Sequence, residues 1–148
     1  MALSGICGAY FLNRGAKDGL RQTEALISFV RFLRSQIECF SLSVPRTLER
    51  CPKEILSGCG YSGEGKPRSI SELIEECRIA DGASKRHMER LCSDIGKGYR
   101  KEQLALCDYC ISLLEERRAQ LAGQLPLRIK MNSALSIAGA AAIVILLI

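Results

Sequence analysis

Histidine is almost absent from this chain, and the short signatures of common nucleotide-binding and hydrolytic sites are missing. His87 is the single histidine. It stands among cations with no obvious acid or nucleophile beside it, so we interpret it as a surface or rim residue. No Walker loop, nucleophile elbow or dinucleotide fingerprint occurs in the sequence. These absences predict a protein that is not an enzyme and holds no cofactor or metal.

A block of basic residues is also lacking. The net charge is +5 at pH 7, from 21 Lys and Arg against 16 Asp and Glu, but basic and acidic residues are interleaved. Such interleaving does not form the continuous cationic patch that is typical of nucleic-acid binding, and we expect no nucleic-acid partner. The mild positive balance is consistent with a domain that lies near an anionic membrane leaflet.

Charged residues are absent from the end of the sequence, between Met131 and Ile148. A helix of this length covers roughly 27 Å, which is close to the roughly 30 Å hydrocarbon core of a bilayer. A terminal helix buried in a soluble core is the alternative, but such a helix seldom has so uniform an apolar surface. Residues 131–148 are therefore predicted to form a transmembrane helix.

The first residues, 1–12, form a second apolar segment that covers only about 18 Å as a helix, short of a full span. It is interpreted as a short membrane segment, and a protein start upstream of this sequence would also explain its length. Arg14 follows this segment, and Arg128 and Lys130 precede the tail. The positive-inside rule then predicts that residues 13–130 form a cytoplasmic domain.

Small residues recur every four positions in the tail, at Ala134, Ala138 and Ala142. This spacing lets membrane helices approach closely, and it predicts a helix-packing face and with it a homo-oligomer. The competing interpretation is that alanine is simply common in such a segment.

Apolar residues in the middle of the chain recur with the period of an α-helix. The clearest example runs from Asp18 to about Phe40. Further helices are predicted at 44–51, near Ile55, from Ser69 to the Asp81-Gly82 pair, from Ser84 to Ile95, and from Tyr99 to Leu125, where Pro126 permits a bend. The glycine-rich stretch 58–67 is predicted to be a loop. No window alternates as a strand would, so the predicted class is an all-α bundle with antiparallel neighbours.

The eight cysteines would indicate disulfides in a small secreted protein, but a cytoplasmic domain keeps its thiols reduced. Cys107 and Cys110 form the only Cys-x-x-Cys pair. Because it falls on the apolar face of a predicted helix, we interpret it as core packing, and a tethered metal or redox site is the alternative. Four further cysteines occupy apolar-face positions: Cys39, Cys51, Cys77 and Cys92.

From about Met88 to Ile148 the sequence resembles the carboxy-terminal half of the stage III sporulation protein AB family. The resemblance is carried by Ile95-Gly96-Lys97, Arg100-Lys101-Glu102-Gln103, the run Leu114-Glu-Glu-Arg-Arg-Ala119 and the apolar close from Leu135 to Ile148. The resemblance lies in the order of these segments along the chain more than in any single motif.

The first half of the chain is similar to the family more loosely, through its apolar start, a helix around residues 25–37 and the Ser43-Val44-Pro45 segment. Two departures stand out. Gly98-Tyr99 replaces the Ser-Asp pair expected after the helix break, which weakens any residue-level role for that turn. The first apolar segment is shorter than the usual anchor of that family.

The resemblance implies a non-enzymatic protein of the mother cell, embedded in the outer forespore membrane, with a cytoplasmic domain similar to the platform domain of type II secretion systems. It would belong to a channel-like complex and dock a secretion-type ATPase, the stage III sporulation protein AA, with other proteins of the same operon. A generic membrane-anchored helical adaptor is the alternative. The predicted partner-facing residues are charged: Lys97, Arg100, Lys101, Glu115, Glu116, Arg117 and Arg118.

Overall fold

All regular secondary structure within residues 2–147 is helical, and the all-α prediction is confirmed. The computed structural model describes the backbone of residues 2–147, the side chains of residues 14–131 and, in the tail, those of Ala134, Leu135, Ile137, Ala138, Ala141, Ala142 and Ile145. The helices are α1 (Ala2–Phe40), α2 (Val44–Arg50), α3 (Lys53–Gly58), α4 (Ile70–Glu76), α5 (Gly82–Asp94) and α6 (Arg100–Leu147).

The chain divides into two compact units. The larger unit, Arg21–Arg118, contains the second half of α1, the helices α2 to α5 and the beginning of α6. The smaller unit joins Met1–Leu20 with Ala119–Ile148. The larger unit lies within the predicted cytoplasmic segment 13–130, and the smaller one contains both predicted membrane segments.

In the larger unit, α1 and α6 run antiparallel, because residues late in α1 contact residues early in α6. Arg34 forms an ion pair with Asp108, and Arg100 donates to the backbone carbonyl of Glu38. The end of α1 therefore lies beside the beginning of α6, and α5 reaches its own end at the same place because α6 follows it after a short turn.

The core of the larger unit receives side chains from every helix. It is aliphatic for the most part, with one phenylalanine, Phe29, completely buried. The largest fully buried apolar side chains are Phe29, Leu26, Leu33, Leu48, Leu73, Met88, Leu114 and Val30. Each such side chain contributes roughly 1.5 to 3 kcal/mol relative to an exposed position, so this cluster accounts for the packing of α1 against its neighbours.

The helix α4 begins where the sequence predicts and ends earlier. The hydroxyl of Ser69 accepts from the amide of Glu72 at 3.1 Å, which is the expected cap, while the carboxylate of Glu72 reaches the amide of Arg68 at 2.8 Å. The predicted end near Asp81-Gly82 is wrong, because α4 ends at Glu76. Beyond the end of α4, the backbone carbonyl of Arg78 accepts from the side chain of Gln22 on α1, and the backbone amide of Ala80 donates to it.

The predicted end of the last soluble helix near Leu125 is also wrong. The helix α6 continues through Pro126 to Leu147. Proline removes one backbone donor and crowds the preceding turn, so Pro126 is a local weak point of α6, although it does not end the helix.

Among the described residues, no helix is both long enough and apolar enough to cross a bilayer. The side chains of the predicted short membrane segment, 1–12, lie outside the described residues, and so do those of several tail residues, including Ile143, Val144 and Leu146. The predicted transmembrane helix at 131–148 stays a prediction.

Candidate partner-docking surface

The turn between α5 and α6 positions the first group of predicted partner-facing residues. The helix α5 is followed by Gly96, whose φ of +82° is a backbone conformation that side chains with a Cβ rarely adopt. Two side chains of α6 then hold the turn: the carboxylate of Glu102 accepts from the backbone amide of Tyr99 at 3.0 Å, and the side-chain amide of Gln103 donates to the carbonyl of Gly98 at 2.8 Å. The backbone of Gly98 and Tyr99 is therefore held in a defined turn.

This turn presents cations and an aromatic ring to solvent. Lys97 and Lys101 are exposed and form no ion pair within the described part of the chain. Tyr99 is 83% exposed, the highest value among the exposed large hydrophobic side chains. Arg100 is different, because its guanidinium donates to Glu38 and joins α6 to the end of α1. Lys97, Tyr99 and Lys101 are thus available to a partner, whereas Arg100 already has a structural contact.

A second aromatic residue lies at the same end of the larger unit. Phe40, the last residue of α1, is 59% exposed, and the guanidinium carbon of Arg50 stands 5.8 Å from its ring centroid. Exposed aromatic and arginine side chains are the residues most enriched at the energetic centres of protein interfaces. We call Phe40, Arg50, Lys97, Tyr99 and Lys101 the junction surface.

Three acidic residues near the junction surface, Glu38, Glu102 and Glu72, accept internal bonds. The carboxylate of Glu38 pairs with Arg34, and the bonds that Arg34 donates to Asp108 and then to Glu38 raise the pKa of its guanidinium. Glu102 and Glu72 accept from backbone amides, as described above. Glu49 and Asp94, which neighbour Arg50 and Lys97 along the chain, are exposed, so the attraction for an acidic partner comes from the cations of the junction surface themselves, Arg50, Lys97 and Lys101.

A pocket of about 480 Å³ opens beside this surface. Its walls come from four separate segments: Ser41 to Pro45, Arg68 to Ser71, the end of α5 with Gly96, and Gln103. Ser41, the residue after α1, has a φ of 51°, a left-handed conformation that costs a non-glycine residue roughly 1 to 2 kcal/mol and turns the chain along the pocket. The sequence predicts that a helix starts after Ser43. No pattern in the sequence indicates which other segments pack around the start of this helix.

The other predicted partner-facing residues are mostly bonded within the larger unit. Glu115 pairs with Arg31, and Arg118 lies 3.9 Å from Glu24. Glu116 is exposed. Exposed pairs of this kind contribute little stability, so these positions can still contact a partner. They lie on α6 about four to five turns after the α5–α6 turn, and the structure does not bring them together with Lys97 and Lys101.

Arg117 has a structural role that the sequence analysis missed. Its guanidinium donates to both carboxylate oxygens of Asp81, at 2.7 Å and 3.0 Å, and both side chains are largely buried, with 22% and 11% exposed. The pKa of Asp81 lies well below its usual range, chiefly because of the bonds from Arg117 and despite its burial. Asp81 also accepts from Ser84 at the start of α5. Arg117 therefore joins α6 to α5 and is a poor candidate for a docking residue.

The burial of Cys107 and Cys110 confirms that both thiols face the core. Burial raises the pKa of the thiols to about 11 for Cys107 and about 12 for Cys110, which keeps them protonated and unreactive at neutral pH. Cys51 and Cys77 are buried and Cys92 is half-buried, but the core-facing prediction is wrong for Cys39, which is exposed near the end of α1. Within the described residues no three His, Cys, Asp or Glu side chains are placed to hold a metal ion.

His87 is half-buried on α5. Burial, followed by the charge of the neighbouring Arg86, lowers its pKa. The ring is therefore neutral at physiological pH, in agreement with its interpretation as a rim residue.

The described tail residues expose apolar surface. Ala134, Ala138 and Ala142, the predicted helix-packing positions, are all exposed. Large apolar side chains are exposed along the same part of α6: Leu127, Met131, Leu135, Ile137 and Ile145. A surface this apolar is unusual for an isolated soluble helix.

No protein-family profile, no curated protein and no solved structure matches the chain. The resemblance to the stage III sporulation protein AB family stays a prediction.

Proposed function

We propose that this chain is a non-enzymatic membrane platform component that docks a secretion-type ATPase through its larger unit. In this proposal the apolar tail is a transmembrane anchor, and the larger unit is a cytoplasmic domain similar to the type II secretion platform domain. The sequence resemblance to the stage III sporulation protein AB family supplies the ATPase, the stage III sporulation protein AA, and the setting, a channel complex in the outer forespore membrane.

The junction surface is the observation that carries the docking role. Lys97, Tyr99 and Lys101 stand on a turn whose backbone is held by Glu102 and Gln103, so their ordering on binding costs less entropy than that of a free loop. The three side chains are exposed, and Lys97 and Lys101 form no ion pair within the described residues. A fixed, cationic and aromatic surface suits recognition of an acidic protein surface.

The exposed apolar residues of the tail support the membrane role. Leu135, Ile137 and Ile145 point to solvent from a stretch that carries no charge. Arg128 and Lys130 precede this stretch, and the positive-inside rule then favours a cytoplasmic larger unit.

The proposal is tested by purification of the tagged full-length chain from native membranes, followed by identification of the proteins that accompany it. We expect the secretion-type ATPase with the unaltered chain and its loss when Lys97→Glu and Lys101→Glu are combined. A chain with Arg86→Glu and Lys53→Glu carries the same change in charge at exposed positions on α5 and α3 and should retain the ATPase. If the ATPase is absent from the unaltered sample, or is retained by both variants, the docking role is wrong, and a general membrane adaptor becomes the better interpretation.

A further inference from the structure

The pocket beside the junction surface, which we call the junction pocket, has a definite chemical character. Its lining is partly polar and partly apolar, and we call the apolar part, which includes Val44, Ile70 and Ile95, its floor. Ile70 and Ile95 also belong to the core, so the floor is a rigid part of the larger unit. The single formal charge in the described lining is that of Arg68, and no carboxylate is present there.

The polar groups of the rim are available as donors. The backbone amide of Arg68 donates to Glu72, whereas its exposed guanidinium forms no ion pair within the described residues. The hydroxyl of Ser43 makes no capping bond to α2, and the oxygen of Ser69 accepts a bond from the backbone, which leaves the Ser69 hydroxyl proton free to donate. A group that accepts several hydrogen bonds and carries negative charge fits this rim best.

The size and floor of the pocket indicate the rest of the ligand. A volume of about 480 Å³ exceeds what a lone carboxylate would fill and lies in the range of pockets that enclose a small ligand or several side chains. Apolar side chains from a partner would cover Val44 and Ile95, while Lys97 and Lys101 outside the pocket attract the same negative charge over a longer distance.

We propose that the junction pocket receives a short extended segment of the partner protein in which a carboxylate side chain stands next to an apolar one. The carboxylate accepts from Arg68 and the rim hydroxyls, and the apolar side chain contacts Val44 and Ile95. This inference rests on the proposed function for the view that the partner is a protein, and it adds the chemistry of the segment and the site that holds it.

The test uses a displayed library of random short peptides, selected against the full-length chain in detergent micelles. We expect the selected peptides to be enriched in Asp or Glu next to Leu, Ile or Phe. Replacement of the acid by its amide should weaken binding by about tenfold, the effect of losing one charge-assisted hydrogen bond. Arg68→Glu should weaken binding at least as much, and so should Ser43→Trp, which blocks the pocket at a position that makes no capping bond.

The matched control is Arg86→Glu, which makes the same charge change at an exposed position of α5, about 9 Å along the helix from the pocket residue Cys92. It should leave peptide binding unchanged. Helicity and the unfolding midpoint of each variant are measured beside binding, so that a folding defect is recognised. Peptides without an acid preference, or acidic peptides that bind Arg68→Glu and Ser43→Trp normally, would overturn the inference.

Because peptide selection needs no ATPase, the two proposals fail separately. If the binding of acidic peptides depends on Arg68 but the chain captures no ATPase, the proposed function is overturned and the assignment of the junction pocket stands. Capture of the ATPase through Lys97 and Lys101, together with peptides that ignore Arg68, would overturn only the assignment of the pocket.

Discussion

The carboxylate of Asp81 accepts two hydrogen bonds from the guanidinium of Arg117, and the same carboxylate caps α5 through the amide and the hydroxyl of Ser84, each at 2.8 Å. The hydroxyl of Ser84 also lies 3.1 Å from that of Thr23 on α1. One largely buried carboxylate thus connects α5 with α6 directly and with α1 through Ser84. Its removal takes the carboxylate partner away from the largely buried guanidinium of Arg117, which is more costly than the loss of an exposed ion pair.

We expect Asp81→Asn to lower the free energy of unfolding by about 2 kcal/mol at neutral pH. The folded-state pKa of Asp81 is depressed, so the stabilisation is complete above the unfolded pKa of about 3.9 and is lost as the pH falls below that value. The difference between the unaltered chain and Asp81→Asn should therefore shrink below about pH 4. Denaturant unfolding across this pH range measures it.

The matched control for Asp81 is Asp108→Asn. Asp108 also pairs with an arginine, Arg34, but its side chain is 56% exposed, and we expect little change in stability. Equal effects of Asp81→Asn and Asp108→Asn would contradict the special role given to the buried pair.

The buried Cys-x-x-Cys pair should be structural. Cys107→Ala combined with Cys110→Ala should cost about 1 to 2 kcal/mol through the cavities left in the core. Cys39→Ala is the control, since this cysteine is exposed and its removal should change nothing. Metal analysis should detect no zinc in any of the three proteins, and stoichiometric zinc lost on mutation of Cys107 and Cys110 would show the interpretation to be wrong.

The turn before α6 should depend on glycine at position 96. Gly96→Ala should destabilise the larger unit by about 1 kcal/mol because of its positive φ, although the space around the added carbon is sufficient. Gly82→Ala, in open space at the start of α5, should be neutral or raise stability by about 0.4 to 1 kcal/mol. Thermal unfolding measures both effects. The midpoint of Gly96→Ala should fall below that of the unaltered chain, whereas the midpoint of Gly82→Ala should stay the same or rise. A Gly96→Ala protein as stable as the Gly82→Ala protein would exclude a strained turn.

The tail should anchor the chain. Ile137→Arg combined with Ile145→Arg places charge in the apolar stretch, at about 2.5 to 3.5 kcal/mol for each arginine near a bilayer centre. We expect the chain to move from the membrane fraction to the soluble fraction, while Ile137→Leu with Ile145→Leu stays in the membrane. Retention of the arginine variant after removal of residues 1–12 would contradict the anchor.

The helices of the larger unit follow from local patterns, whereas their ends depend partly on distant residues. The capping bond of Ser69 to Glu72 is local and was predictable. The end of α4 at Glu76 was not, because the following residues bond to Gln22, 56 positions away from Arg78. A pattern along a single segment contains no information about such a partner.

The same reasoning applies to the docking site. The exposed turn at Lys97 and Lys101 was predictable from two glycines and the adjacent charges. The ion pair of Arg117 with Asp81 was not, since nothing local distinguishes Arg117 from Arg118. The junction pocket was likewise beyond prediction, because its walls meet only when four separate segments pack together.

The central claim is that a partner docks at the junction surface, and photo-crosslinking from Tyr99 tests it most directly. A photoreactive phenylalanine analogue replaces Tyr99, and in a second chain Tyr109, an exposed tyrosine on the same helix that lies under Arg90. After irradiation of the producing cells, we expect the chain altered at position 99 to capture the secretion-type ATPase and the chain altered at position 109 to capture none. Capture from position 109 alone, or from neither position when both chains reach the membrane, would contradict the account.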